Sequence, residues 1–341
     1  MEFAMPLEER LSLRQELIDS NDKFILDLPK VELHVHIEGT LTPELRWKLA
    51  KRNNQTLKLE RTGTVYTNLD QLRASYYIME ARPGHQIDNA EESFTFFEAY
   101  YGGFEVLLTE EDFYDLAMNY FEHVAGMNVK SKWIMCFLRD MSPESAMETY
   151  DAVLPYRDMV IGIGLDSDEN DRPPLMFEEV YKRARHDGFR ATAHCDVGNK
   201  DAHKHIRQVV NDLGETGADR LDHGINAAQD PEIMHRIQGR GIGMTLTPWG
   251  YLRHEPVDEI FPRIRTLFDA GIPIAIGSDD PAYMEDTWIL HDWLLVKKMC
   301  EFSNKEMATL AKSAIDMCWA EDLVKEEMRR ELEEVLVKYS I

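Results

Sequence analysis

The sequence predicts an α/β protein built as a (β/α)8 barrel of the TIM type lacking or altering one βα unit, and three observations lead there. From about residue 130 onward, short apolar or β-branched runs alternate with longer segments of helical periodicity, the pattern of βα units that build a parallel sheet. With one run upstream the strand candidates number seven, where a closed barrel of this kind needs eight. Polar residues able to do chemistry stand at the C-terminal ends of several of these runs, the barrel face on which active sites form.

Taken in order, residues 1–27 are charged with helical spacing, and read as an N-terminal helical extension. They have neither the apolar run of a secretory signal nor the Arg-rich, acid-poor look of a transit peptide, so a cytoplasmic location is expected. Val31–Ile37 reads as the first strand. Residues 41–130 then form a long excursion, whose aromatic part SFTFFEAYYGGFEVLL is expected to be helices over the barrel mouth; within it, Asn53–Asp70 is polar and irregular and reads as a surface loop. The later strands are expected at Trp133–Leu138, Val160–Leu165, Phe189–His194, Arg220–His223, Ile242–Leu246 and Ile272–Gly277. Met299, Met307, Met317 and Met328 read as packing of outer-ring helices. There is no internal repeat, and residues 1–341 are expected to form a single barrel domain.

Composition narrows the partners. The 341 residues carry a formal net charge of -24, which repels polyanions such as nucleic acid, and no basic patch offsets it. No run of 18 apolar residues occurs, so no membrane span is expected. Cys136, Cys195, Cys300 and Cys318 are scattered without a CxxC pair, which argues against a cysteine metal site and against a disulfide framework. The sequence does not indicate the oligomeric state.

The strand-end residues are His34 and His36 on the first strand, His194 at the end of the strand that begins at Phe189, and Asp279 after the last. In an extended strand residues i and i+2 point the same way, so His34 and His36 can face the barrel axis together and bind one ion. Imidazole nitrogens with a carboxylate suit zinc and leave a position for water. A His-x-His pair is a weak signal alone; its agreement with later strand ends is what makes it a site. His223, ending the run RLDH, is a further inward candidate. Asp280 reads either as a site residue or as a turn former before Pro281. His186, His203, His205 and His235 are expected to be solvated surface residues.

Four motifs, LPKVELHVHIEGTLTPE, TAHCD, LDHG and GSDDPAY, together resemble the adenosine/adenine deaminase branch of the amidohydrolase superfamily, closest to its free-base aminopurine deaminases. The resemblance runs from about Leu28 to near the C-terminus. It implies one zinc ion per chain held by His34, His36, His194 and Asp279, and a water, made acidic by the metal, that attacks the purine carbon bearing the amino group. It further implies that His223 orients or deprotonates that water, that Asp280 helps position it and contacts substrate, and that Glu38 and Ser167 border the substrate. Glu38 stands where members acting on nucleosides commonly have Asp, which favours a free base over a nucleoside, and the altered motif after His194 extends the expected substrates from adenine to an N6-substituted adenine, with adenosine disfavoured. Ser167 stands where Gly is usual.

Two departures stand out. The family pattern after the third histidine is His-x-x-Glu, the glutamate giving a proton to the ring nitrogen, whereas this chain reads His194-Cys195-Asp196-Val197. Asp196 is the acid left to do that work, and an unreplaced general acid costs about 100- to 10,000-fold in rate. Relatives also carry a further βα unit where Val129, Lys130 and Ser131 make the join here. Two alternatives stay open at this level: an amidohydrolase acting on a different substrate class on the same metal site, and a catalytically impaired purine- or metal-binding relative.

Overall fold

A computed structural model describes residues 5–59, 63–76, 90–124, 130–195, 200–253 and 255–341. Its strands are β1 (Lys58–Leu59), β2 (Thr64–Val65), β3 (Trp133–Leu138), β4 (Val160–Asp166), β5 (Arg190–Ala191), β6 (His194–Cys195), β7 (Arg220–His223), β8 (Gly243–Leu246) and β9 (Ile274–Ile276). β1 and β2 form a small antiparallel ladder away from the barrel, in the stretch expected to be a plain loop. All pairings among β3 to β9 are parallel, in the orders β3-β4-β5 and β6-β7-β8-β9, with helices following the strands as βα units require.

Two strand expectations need correction. The run 189–194 is not one strand: β5 pairs with β4 while β6 pairs with β7, so a single bent stretch joins the two sheets. Thr192 N–H still reaches Ile163 O, and Asp222 N–H reaches Ala193 O, which keeps the wall continuous across the bend. Val31–Ile37 runs beside β9 but is no strand, holding only an isolated parallel bridge between Val35 and Asp279. Among the described residues nothing pairs with it on the side of β3, which pairs with β4 alone.

The core fills the barrel and the space beneath its helices, with Ile163, Leu165, Ala193, Leu221, Met244 and Ile276 buried at its centre. Met307 is fully buried and Met299, Met317 and Met328 pack against that core, as expected of outer-ring helices. A second apolar cluster roofs the mouth. There the helices Pro43–Arg52 and Ala90–Phe104 bring Leu45, Leu49 and Tyr100 onto Ala282 and Tyr283, and Tyr76 stacks on Tyr283 at 4.5 Å between centroids. The N-terminal extension forms the helices Leu7–Asp19 and Lys23–Asp27. Its buried Arg10 donates from Nε (3.1 Å) and Nη2 (3.0 Å) to Glu285, which also accepts from Arg253 and Trp249, and this ties the extension to the loop after β9. Among the described residues no helix is long and apolar enough to cross a membrane, and the four cysteines are free thiols.

His205 corrects another expectation. It is buried, with Nδ1 3.2 Å from Glu169, because its helix packs that face on the barrel wall. His186 and His235 are exposed as expected, and His203 is half-buried with Nε2 2.9 Å from Asn226 O.

Candidate metal centre

His34, His36, His194, His223, Asp279 and Asp280 converge at the C-terminal ends of the staves. The imidazoles form a compact set, with ring centroids 5.4 Å apart for His34 and His36, 4.8 Å for His34 and His194, and 4.6 Å for His34 and His223. His34 and His36 each place Nε2 3.3 Å from Asp279 Oδ1. Three overlapping groups, His34 with His36 and His194, His34 with His223 and Asp279, and His36 with Asp279 and Asp280, have donor atoms within 4.8 Å of one another.

The backbone that presents them is tightly specified. His36 N–H bonds Asp279 O (2.9 Å) and Asp279 N–H bonds His34 O (3.1 Å), so the first and last staves carry their ligands in register. Glu32 adds to this by accepting from the amide (3.0 Å) and hydroxyl (2.6 Å) of Ser278. Glycine is required at Gly39, where a Cβ would lie 2.1 Å from Asp280 Oδ1, and at Gly277, where it would lie 2.5 Å from His34 O. His223 and Asp279 take φ of +58° and +63°, left-handed conformations that swing their side chains inward from the strand ends.

Hydrogen bonding sets the tautomer of His34. Thr245 Oγ1 gives its one proton to Asp222 Oδ1 at 2.7 Å, so towards His34 Nδ1, 2.9 Å away, it can only accept. His34 therefore carries its proton on Nδ1, and its buried Nε2 is a bare lone pair with no hydrogen bond, facing the Asp279 carboxylate. Two electron-rich atoms aimed at each other across 3.3 Å suit a cation between them. The donor set of three imidazoles and one carboxylate fits zinc.

Without an ion, the electrostatics divide the set. Burial opposes charge on His36, but Asp280, Asp279 and Asp166 outweigh it and hold the imidazole proton well above its usual range. Burial and the neighbouring imidazoles push His194 well below, the neutral form a ligand needs. Burial would lift Asp279, but His34 and His36 hold it well below the carboxylate range. Burial and the Asp279 charge push Asp280 well above it.

The remaining expected residues divide. Asp280 does not cap the following turn; it is buried with Oδ1 unbonded, on the side of His36. His223 is fixed by side chains, Nδ1 lying 3.1 Å from Tyr251 Oη and 3.3 Å from Thr247 Oγ1, with Nε2 4.0 Å from Asp279 Oδ2. Glu38 opens the turn Glu38–Thr40 and borders the cavity beside the cluster. Ser167 has φ +75°, a left-handed conformation that favours glycine, and its hydroxyl bonds Asp140 (3.0 Å) and Tyr101 (2.5 Å) rather than the cluster. Asp196 lies outside the described residues. One residue escaped the sequence reading: Asp166, which ends β4 with Oδ2 3.5 Å from His36 Nδ1 and Oδ1 unbonded. Burial, with Glu38 and Asp140 nearby, pushes its carboxyl up to about 6 against the opposing pull of His36. An acid at a strand end was the available signal.

Comparison with known proteins decides the family. The model of the adenosine deaminase family matches residues 29–130 and 124–335. The chain belongs to the adenosine deaminase family. An uncharacterized deaminase of Schizosaccharomyces pombe is 35% identical over 358 residues, covering 94% of this chain and 98% of its own. The adenine deaminase of Rhodospirillum rubrum is 32% identical, covering 91% and 97%. Both alignments, of 358 and 349 positions, exceed the 341 residues of this chain, so the relatives carry residues it lacks. Among solved structures, the adenine deaminase of Arthrobacter aurescens superposes with a TM-score of 0.75 at 29% identity, covering 90% of this chain and 98% of that one. A zinc-bound amidohydrolase of Burkholderia ambifaria gives 0.68 at 25% identity, covering 93% and 94%. The fold is thus the α/β barrel of the amidohydrolases and the chain is a hydrolytic deaminase.

Proposed function

We propose that His34, His36, His194 and Asp279 hold one zinc ion per chain, and that the chain hydrolyses an aminopurine, with free adenine the simplest substrate. The observation that carries the reading is the buried, unbonded Nε2 of His34 facing Asp279 within a ring of histidines and carboxylates. The relatives named adenine deaminase support the substrate class.

Zinc, when bound, supplies Lewis acidity that makes water nucleophilic near neutral pH. The chain's own residues do the rest. His223, oriented through Nδ1 by Tyr251 and Thr247, offers Nε2 to take the proton of the attacking water. Asp280 has an unbonded carboxylate oxygen to orient that water and to contact the ring. Glu38 and Ser167 border the purine. Asp196, assigned on sequence alone, gives a proton to the ring nitrogen. Water adds its oxygen to the amino-bearing carbon, the carbon–nitrogen bond breaks, and adenine leaves as hypoxanthine and ammonia. On this reading residues 1–341 act as one cytoplasmic barrel domain on a small purine, without nucleic-acid or membrane partners.

The test is ammonia release from adenine and adenosine by zinc-loaded protein, with metal analysis of His34→Ala. Turnover of adenine, and a sharp loss of bound zinc in the variant, are expected. Absence of ammonia from every aminopurine, or full zinc occupancy in His34→Ala, refutes the respective assignment.

A further inference from the structure

The fold gathers positive charge at one place on a chain whose net charge is -24. A cavity of about 570 Å³ lies on the face opposite the histidine cluster, where β4, β5, β7 and β8 begin. The segments 216–219, 240–242 and 316–322 close its sides, and its surface is mostly polar. Arg185, Arg190, Arg220, Arg240 and Lys325 line it, against the carboxylates of Asp219, Asp316 and Asp322. These cations are scattered along the sequence from 185 to 325, so no basic run announces them; folding brings them together.

The carboxylates do not use up this charge. Arg185 Nη1 and Arg190 Nη1 share one of them, Asp219, at 3.3 and 3.2 Å. Asp316 pairs at 2.8 Å with Lys312 and with Arg329, neither of which lines the cavity. Arg240 Nη2 and Lys325 Nζ donate to the backbone carbonyls of Thr216 and Asp316, which carry no net charge. A Cβ at Gly217 would lie 3.0 Å from Arg240 Nη2, so glycine there lets the guanidinium lie against the loop. Arg220, only 3% exposed, forms the buried end, its Nε donating to Asp222 Oδ1 at 3.2 Å. Five cations against three carboxylates leave a surplus of two positive charges in a concave site.

We propose that this cavity binds a phosphate-bearing small molecule, at a site separate from the metal centre and independent of its assignment. A phosphate group carries a charge of about -1.5 to -2 at pH 7, which matches the surplus. Guanidinium forks offer it paired N–H donors, and a bond to a charged oxygen is about twice as strong as the carbonyl bond it replaces. The polar lining disfavours an apolar ligand, and the negative charge of the rest of the chain repels a long polyanion. The volume admits the phosphate together with a sugar or short polar chain that bears it.

The experiment titrates inorganic phosphate and ribose 5-phosphate into the full chain, freed of unbound zinc, by calorimetry at low ionic strength. Saturable binding is expected, weakening as salt is added. Arg240→Gln should raise the Kd about tenfold or more, and Asp322→Asn, which removes a carboxylate from the lining, should lower it about two- to threefold. Lys298→Gln, which removes the same charge away from the cavity, should leave the Kd within about twofold. Arg190→Gln, at a side chain more than half exposed, replaces Arg240→Gln if that variant does not fold. Tighter binding of one ligand than the other supports the site and tells whether the phosphate is free or esterified. No saturable binding of either, equal weakening in Arg240→Gln and Lys298→Gln, or weaker binding in Asp322→Asn overturns the proposal.

Discussion

Replacing Thr245 by Val removes one hydroxyl and almost no volume, and it breaks the contact that fixes the His34 tautomer. Thr245 Oγ1 stands 2.9 Å from His34 Nδ1 and 2.7 Å from Asp222 Oδ1. Asp222 keeps two partners, Thr192 Oγ1 at 2.6 Å and Arg220 Nε at 3.2 Å. Burial works against its charge, but Arg220, His34, His194 and Thr192 more than offset that and hold the carboxyl well below its usual range. It therefore stays ionised in the variant. The loss is then a hydrogen bond to a charged group, about 1.5–3 kcal/mol of stability, together with the partner of a metal-ligating imidazole, for which affinity falls about 10- to 100-fold. Zinc competition against a chromophoric chelator at neutral pH measures the second quantity, and urea unfolding the first. Thr192→Val is the control, because it removes a bond to the same carboxylate without touching His34. It should destabilise comparably yet leave zinc affinity within about threefold. Equal affinity losses in the two variants, or none in Thr245→Val, would refute the tautomer argument.

Gly39→Ala sets a methyl where Asp280 now stands, 2.1 Å from Oδ1 and 2.6 Å from Cα, so it should cut turnover more than tenfold while bound zinc, measured by metal analysis, changes little. Asp196→Asn should lower turnover about 100- to 10,000-fold with zinc retained; unchanged kinetics would remove Asp196 as the proton donor. Asp112 links stability to pH. Burial would raise its carboxyl, but Arg52, Thr109, Asn53 and the Leu108 amide lower it further than burial lifts it. A depressed carboxylate stabilises the fold above its unfolded value near 4 and loses that contribution as pH falls through the folded value. Asp112→Asn should therefore be less stable than wild type at pH 7, with the gap in urea midpoint narrowing below about pH 4; equal midpoints at pH 7 would contradict this.

The sequence made the site more legible than the wall that holds it. Period-two placement put His34 and His36 on one face, and the structure puts both at 3.3 Å from Asp279 Oδ1. The strand ends carrying His194 and His223 were equally readable, because a residue that closes an apolar run at a barrel mouth has few places to point. What the residues alone could not state is which atoms face inward. The tautomer of His34 depends on Thr245, 211 positions away, and the charge of Asp222 on Arg220, whose guanidinium lies 4.5 Å from the Trp319 ring centroid. His205 misled for a related reason: its helix is polar in composition, and only packing against Glu169 shows which face is buried. Val31–Ile37 has the composition of a strand, but a ladder needs a neighbour, and among the described residues none pairs with it on the side of β3.

The side on which residues 31–37 have no partner among the described residues does not fall at random with respect to the chemistry. His194, His223 and Asp279 sit at the ends of staves on the continuous part of the wall, so their positions need nothing from that side. His34 and His36 stand on it and are anchored from the Asp279 side, through two backbone bonds and through Glu32 on Ser278. Tyr120, in the helix Glu110–His123, adds a bond to the same Glu32, donating to Oε2 at 2.6 Å. One half-buried carboxylate thus ties residues 31–37 to the last stave and to a helix at once. Beside His36 lies a cavity of about 700 Å³ whose lining away from the cluster is mostly apolar, so the ligand that stands on the less supported side also borders the largest room for a bound molecule among the cavities described.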